Sequence, residues 1–230
     1  MIEKILPAGV ASAEAFDDPP DAVLYPEEAE VISRAVDKRR REFRTVRHCA
    51  RRALSQLGLP PVAVVPGERG EPQWPAGVVG SMTHCGGYRA AAVARSNRLR
   101  ALGIDAEPHE PLPAGVLDVI SLGEERDHLS RLAAGAACWD RILFCAKETV
   151  YKAWFPLTHR WLGFEDAAVT INPVAIKPAT VNPGETTAAG TFSVRLLVAG
   201  PTIAGAELTR LDGRWLCADG LVLTTIALAP

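Results

Sequence analysis

From Ala167 onward the chain consists of short runs rich in apolar and β-branched residues: AAVTI, TFSVRLLVA, TIAGAEL, RWLCA and LVLTTIALA. Glycine, proline and asparagine turns separate them. Runs of this length and composition, punctuated this often, read as antiparallel sheet. The segment before them reads as a helix over about 138–155, because Trp139, Ile142, Leu143, Ala146, Val150, Ala153 and Trp154 recur at helical spacing.

The first half follows a similar order. Residues 1–24 end in Asp17-Asp18-Pro19-Pro20-Asp21 and read as an irregular lead-in. From Pro26, a good first-turn residue, Ala29, Ile32, Ala35, Val36, Phe43, Val46, Ala50, Ala53 and Leu57 keep helical spacing until Gly58 and Pro60-Pro61 stop it. The run VAVV at 62–65 reads as a strand before a turn at Gly67–Pro72. The segments 88–94 and 100–107 are short and apolar, with a polar turn between them, as in a hairpin. Pro108, Pro111 and Pro113 then break the chain, and Ser121-Leu122-Gly123-Glu124 has capping-box spacing ahead of a short helix. The expected fold class is α+β, with two packed subdomains, 1–108 and 109–230, and a seam at the prolines.

Composition narrows the function. The chain has 230 residues, 48% hydrophobic and 23% charged, with a formal net charge of -2, so no global cationic field draws it to nucleic acid or anionic lipid. Neither is an expected partner, and any anion binding must be local. The five cysteines, Cys49, Cys85, Cys138, Cys145 and Cys217, show no metal-ligand spacing, and their odd number suits reduced core residues better than a disulfide framework. The N-terminus meets acidic residues before a long apolar run develops, and no stretch approaches the roughly 18 apolar residues of a spanning helix, so a cytoplasmic protein is expected.

Four clusters carry candidate chemistry. Asp105 and Glu107, two apart at the end of an apolar run, point to one face of an extended chain. They fit a solvated strand end, or a pair held ionised by a cation such as Mg²⁺. Glu148 and Lys152 lie at i and i+4 on the 138–155 helix, opposite its core stripe. An exposed ion pair would look the same, but Phe144 and Tyr151 flank the carboxylate, as suits a pair lining a cleft. Gly80–Tyr88 is a small polar segment with Ser81, Thr83 and His84, either a simple turn or a cradle for phosphate. Eight of the 25 Lys and Arg residues crowd 38–52; Arg39 and Arg47 share a side of that helix, and Arg69 follows in the next turn as a third phosphate donor. The rest of the basic run could meet an acidic partner.

Taken together, the H-C-G-G-Y segment, G-I-D-A-E and F-C-A-K-E-x-x-Y-K-A-W strongly resemble the 4'-phosphopantetheinyl transferases serving siderophore, peptide and polyketide synthases, closest to the actinobacterial enzymes. The resemblance spans most of the chain, through DKRRREFRTVRHCARRAL, RGEPQWP and PLTHRWLGFEDA. It implies a pseudo-twofold α+β monomer holding coenzyme A and Mg²⁺ between its halves. By position Asp105, Glu107 and Glu148 match the family's metal ligands. Lys147 and Lys152 match its lysines near the pyrophosphate, Thr83 and His84 the segment holding the coenzyme's phosphates, and Arg39, Arg47 and Arg69 the basic residues around the 3'-phosphate. Phe144 replaces a usual Trp, and Pro66 stands where close relatives carry a lysine. The implied reaction moves phosphopantetheine to a serine of an apo acyl or peptidyl carrier protein, with Glu148 as base and Lys152 on the leaving phosphate. A metal-dependent nucleotide phosphohydrolase and a noncatalytic coenzyme A-binding module are the alternatives. The first would activate water, and the second would need no metal.

Overall fold

The computed structural model describes residues 1–135, 137–178 and 186–230. The apolar stripe before the C-terminal strands forms α5 (Trp139–Thr158), and every residue of the stripe is buried. It lies on a five-stranded antiparallel sheet ordered β4-β10-β9-β6-β5. These strands are β4 (Ala101–Pro108), β5 (Ala167–Pro178), β6 (Thr186–Leu196), β9 (Arg210–Ala218) and β10 (Leu221–Leu228), with a two-residue hairpin, β7 (Thr202–Ile203) and β8 (Ala206–Glu207), between β6 and β9. Trp139 meets Trp215 edge-on at 5.7 Å between ring centroids, and Phe192 and Trp154 fill the same core. Short helices α3 (Val116–Ile120) and α4 (Gly123–Leu129) lead into α5. The short helix expected after Ser121 is α4, but its cap falls one residue later than the Ser121–Glu124 spacing: Leu122 is the N-cap, and the Glu125 carboxylate accepts its N–H at 2.7 Å, while the Ser121 hydroxyl turns to the Leu117 carbonyl.

The N-terminal half repeats a long helix on an antiparallel sheet. Helix α2 (Asp37–Gln56) covers a three-stranded sheet ordered β1-β3-β2, from β1 (Ala11–Ala15), β2 (Val78–Cys85) and β3 (Tyr88–Arg95). Four local expectations are corrected. The lead-in contains β1, whose alternating burial the five-residue run ASAEA carries mostly on alanine, a poor strand signal. The helix from Pro26 is two helices, α1 (Pro26–Val31) and α2; the Ser33 hydroxyl turns back to the Glu30 carbonyl and Val36 is extended. Residues 62–65 form no strand, and only a single bridge between Pro66 and Pro72 closes the following loop. The hairpin joins β2 and β3 through Gly86-Gly87, so Gly80–Cys85 is strand, with only its end a turn.

Strand β4 does not pair with β3. Its partner along its whole length is β10, with Asp105 opposite Thr224 and Glu107 opposite Val222, so 101–108 hydrogen-bonds across the boundary drawn at 108. The two sheets meet along a core containing Tyr88, Leu102, Ile104, Leu216 and Leu223. Side chains of β2 stitch this junction: the Ser81 hydroxyl accepts the Ile104 N–H at 3.1 Å and the Thr83 hydroxyl accepts the Ala106 N–H at 3.0 Å. The end of β4 is thereby fixed from both sides, by a strand pair and by two hydroxyls.

Candidate active site

Alternation along β4 sends Leu102, Ile104 and Ala106 into the core between the sheets, leaving Gly103, Asp105 and Glu107 on the other face, against α5. Gly103 sets how close that helix comes. A Cβ there would lie 2.4 Å from the Thr149 carbonyl oxygen and 3.0 Å from the Ala153 nitrogen, so only glycine lets α5 rest on the strand. Buried hydroxyls hold the helix on the neighbouring strand too, with Thr149 and Thr224 bonded at 2.6 Å. The close approach brings Lys152 to Asp105, Nζ to Oδ1 at 2.7 Å, with a further bond to the Met82 carbonyl at 3.3 Å. Thr83 donates to the same Oδ1 at 2.9 Å.

Asp105 is 5% exposed, and its second oxygen, Oδ2, is buried without a hydrogen-bond partner among the described residues. Glu107 is held by Arg141, Nη1 to Oε2 at 2.9 Å. Arg141 also donates to the carbonyls of Glu110 and Pro111, which ties the linker after β4 to α5. Burial, and then the charge of Asp105, push the carboxyls of both Glu107 and Glu148 above the usual carboxylate range, against Arg141 in one case and Lys152 in the other. Burial also opposes the charge of Lys152, yet Asp105 and Glu148 outweigh it and raise its pKa.

Glu148 and Lys152 open into a cleft of about 500 Å³ whose far wall is α2 and the 66–72 loop. Arg39, Arg47 and Arg69 line that wall, and with Lys152 opposite, four cationic side chains face the space against two carboxylates, Glu71 and Glu148; His84 borders it as well. Phe43, Met82, Tyr151 and Phe155 supply apolar surface. Arg47 is nearly buried, stacked 3.3 Å from the centroid of Phe43, and donates from Nε to the Val64 carbonyl at 3.1 Å. Arg39 donates to Nε2 of His84, and burial lowers the pKa of this histidine, as suits a neutral ring accepting from an arginine. Beside Glu148 a smaller cavity of about 140 Å³ continues past Tyr151 to Trp161, Leu162 and Phe164.

Two expected ligand residues are placed otherwise. Thr83 borders the cleft, but its hydroxyl proton goes to Asp105 and its oxygen receives Ala106, which leaves no donor for a phosphate. Lys147 is 4% exposed and bonded to Glu125 at 2.9 Å, the Phe164 carbonyl at 2.6 Å and the Ala167 carbonyl at 3.1 Å, so its three donors fasten α5 to α4 and β5. Arg141 was not anticipated. Its position two turns before Glu148 on one helix face was the available signal. Among the described residues no three acidic, imidazole or thiol groups form a ready cage for a metal, and Asp105 and Glu107 are paired with Lys152 and Arg141. The donor chemistry nonetheless fits a hard divalent cation: Asp105 Oδ2 is orphaned, and two neighbouring carboxyls are disfavoured in their ionised form.

A cation-lined cleft ending in carboxylates and a lysine suits a phosphorylated ligand. Residues 27–94 match the family described as 4'-phosphopantetheinyl transferase N-terminal domain, and residues 101–203 match the 4'-phosphopantetheinyl transferase superfamily. The chain is 54% identical, over 99% of its length and 98% of the relative's, to the 4'-phosphopantetheinyl transferase PptT of Mycobacterium tuberculosis. It is 56% identical to Npt of Nocardia iowensis over the full length of both, and 51% identical to Svp of Streptomyces mobaraensis over 100% of this chain and 89% of the relative. Both carry the same enzyme description. The chain therefore belongs to the 4'-phosphopantetheinyl transferases.

Proposed function

We propose that this transferase moves 4'-phosphopantetheine from coenzyme A to a serine of an apo acyl or peptidyl carrier protein, releasing 3',5'-adenosine bisphosphate. The polarity of the cleft carries the reading. Its α2 side is a set of arginines suited to the adenosine phosphates, and its α5 side pairs Glu148 with Lys152. Arg39, Arg47 and Arg69 grip the 3'-phosphate, with Phe43 and Phe155 offering surface to the base. The pantetheine arm follows the smaller cavity past Tyr151 and Trp161.

Lys152 keeps one ammonium proton beyond its bonds to Asp105 and Met82, and directs it at the pyrophosphate. Glu148, as a carboxylate made more basic by burial and by the charge of Asp105, takes the proton of the attacking serine. Mg²⁺ would be held by Asp105, Glu107 and Glu148, and would supply charge neutralisation at the pyrophosphate. Gly103 and the β2 hydroxyls keep the Asp105 carboxylate fixed while this charge redistributes. The protein acts as a cytoplasmic monomer on carriers of fatty acid, polyketide, nonribosomal peptide or siderophore synthesis. Among the described residues no helix is long and apolar enough to cross a membrane.

The test is the intact mass of apo carrier incubated with the protein, coenzyme A and Mg²⁺, beside a chelator control. Addition of one phosphopantetheine that is lost on chelation is expected. Adenosine bisphosphate released without carrier modification would replace the proposal with a hydrolase. Glu148→Gln should stay folded and lose about 10²- to 10⁴-fold in transfer; comparable rates would remove Glu148 from its role.

A further inference from the structure

Glu28, on α1, is an ionised side chain type with no exposed surface at all. Its carboxylate is fully used: Oε1 accepts Arg51 at 2.8 Å and the Val64 N–H at 2.8 Å, while Oε2 accepts the Tyr25 N–H at 2.9 Å and Arg51 again at 2.9 Å. One carboxylate thus ties together three separate segments, the start of α1, the middle of α2 and the strand-like stretch before the 66–72 loop. The same three segments build the arginine wall of the cleft. α1 ends in Val31 and Ile32, which line it; α2 carries Arg47; the loop carries Arg69.

The link to those arginines is short. Val64 donates its N–H to Glu28 and accepts Nε of Arg47 on its own carbonyl at 3.1 Å, so the backbone of one residue relays the position of the carboxylate to the guanidinium. The residue after Val64 receives Gln73 at 2.9 Å, and Pro66 bridges to Pro72, so the base of the Arg69 loop is anchored at the same place. Glu28 also opposes the burial that draws Arg47 down to about 10. A buried ion pair adds little net stability compared with apolar packing, but it holds its partners in one arrangement.

We infer that Glu28 is a positioning residue for coenzyme recognition, orienting Arg47 and the Arg69 loop toward the 3'-phosphate through Arg51 and the Val64 backbone. This rests on the proposed placing of the adenosine phosphates against α2. Glu28 touches no substrate and has no part in the transfer step.

The experiment compares coenzyme A with 3'-dephospho-coenzyme A as donors to one apo carrier, for the parent protein and for Glu28→Gln, with thermal melting as a folding control. The parent should prefer coenzyme A through KM. In Glu28→Gln the KM for coenzyme A should rise about tenfold, as expected for a displaced charge-assisted contact, while KM for the dephospho form and kcat with either donor change less than about twofold. A general weakening of the fold would instead raise both KM values together or lower kcat with both donors, and either pattern overturns the inference. So does undiminished preference in Glu28→Gln. If the parent itself shows no preference, the placing of the 3'-phosphate fails first and takes the inference with it. Should Glu28→Gln not fold, Glu28→Gln with Arg51→Met removes both buried charges together and keeps an acceptor for Val64, and the same loss of preference is expected of it.

Discussion

Helix α2 lies on its sheet through Cys49, Ala50, Ala53 and Leu54 against Ala11, Ala13, Ala91 and Val93, whereas α5 lies on its sheet through Ile142, Leu143, Val150 and Trp154 near Phe192 and Trp215. Both helices have 20 residues and both cover an antiparallel sheet, so the difference is in what fixes them. Small side chains bury little apolar area, and the N-terminal half adds polar ties, Glu28 to Arg51 and Asp18 to Thr45. Large side chains hold α5 chiefly by packing, and its own polar ties, Lys147 to Glu125 and Thr149 to Thr224, are set within that packed core. The cleft draws its arginines, the proposed phosphate donors, from the polar-tied half and its candidate reacting groups from the packed half. Substitutions in the two halves should therefore separate in kinetics, with the C-terminal wall governing kcat and the N-terminal wall governing KM for coenzyme A.

The sharpest break of that division is Lys152→Ala. Losing a donor aimed at developing charge lowers kcat by about 10²- to 10³-fold, and it also leaves Asp105 without its cation. Steady-state rates at saturating coenzyme A and carrier measure it; a change confined to KM would erase the distinction between the walls. Next is Gly103→Ala. The added methyl meets backbone, which cannot swing aside, so a loss of about 1–3 kcal/mol in chemical denaturation is expected together with reduced kcat. Gly123→Ala is the control, since a Cβ there meets nothing within 4 Å and should leave stability within about 0.5 kcal/mol. Smaller still is Arg69→Ala, which should raise KM for coenzyme A about tenfold and weaken its dependence on salt with kcat unchanged, since the arginine lies on the loop that lines the cleft.

The same contrast explains what could be read in the residues. The α5 stripe was legible because large apolar side chains mark a buried face unambiguously, and Glu148 and Lys152 followed from what remained. Strand β1 was not, since ASAEA is mostly small and carries a weak β signal. The pairing of β4 with β10 rather than β3 joins residues more than 110 positions apart, as with Asp105 and Thr224, and local turn chemistry contains no trace of it. Thr83 and Lys147 show the limit for sites. Both were placed on phosphate by resemblance, but their donors are consumed by Asp105 and by Glu125 with two carbonyls, which only the packed geometry reveals.

The smallest effect tests whether the polar-tied wall is set by ionisation as well as by position. Burial lowers the pKa of His84 from 6.5, its own backbone hydrogen bond opposes that, Arg39 and Lys152 reinforce it, and Glu42, 3.8 Å away, opposes it. A group whose folded pKa lies below its unfolded value contributes stability above the unfolded pKa and loses it as pH falls through the folded one. Between those limits the unfolded chain takes up a proton that the folded ring, already accepting from Arg39, resists. The melting temperature should therefore fall on acidification below 6.5, and His84→Asn, which keeps an acceptor for Arg39 without a titrating ring, should show a shallower fall over that interval. Identical slopes for parent and variant would mean that the ring is as free to protonate in the cleft as in the unfolded chain, and that position alone organises the α2 wall.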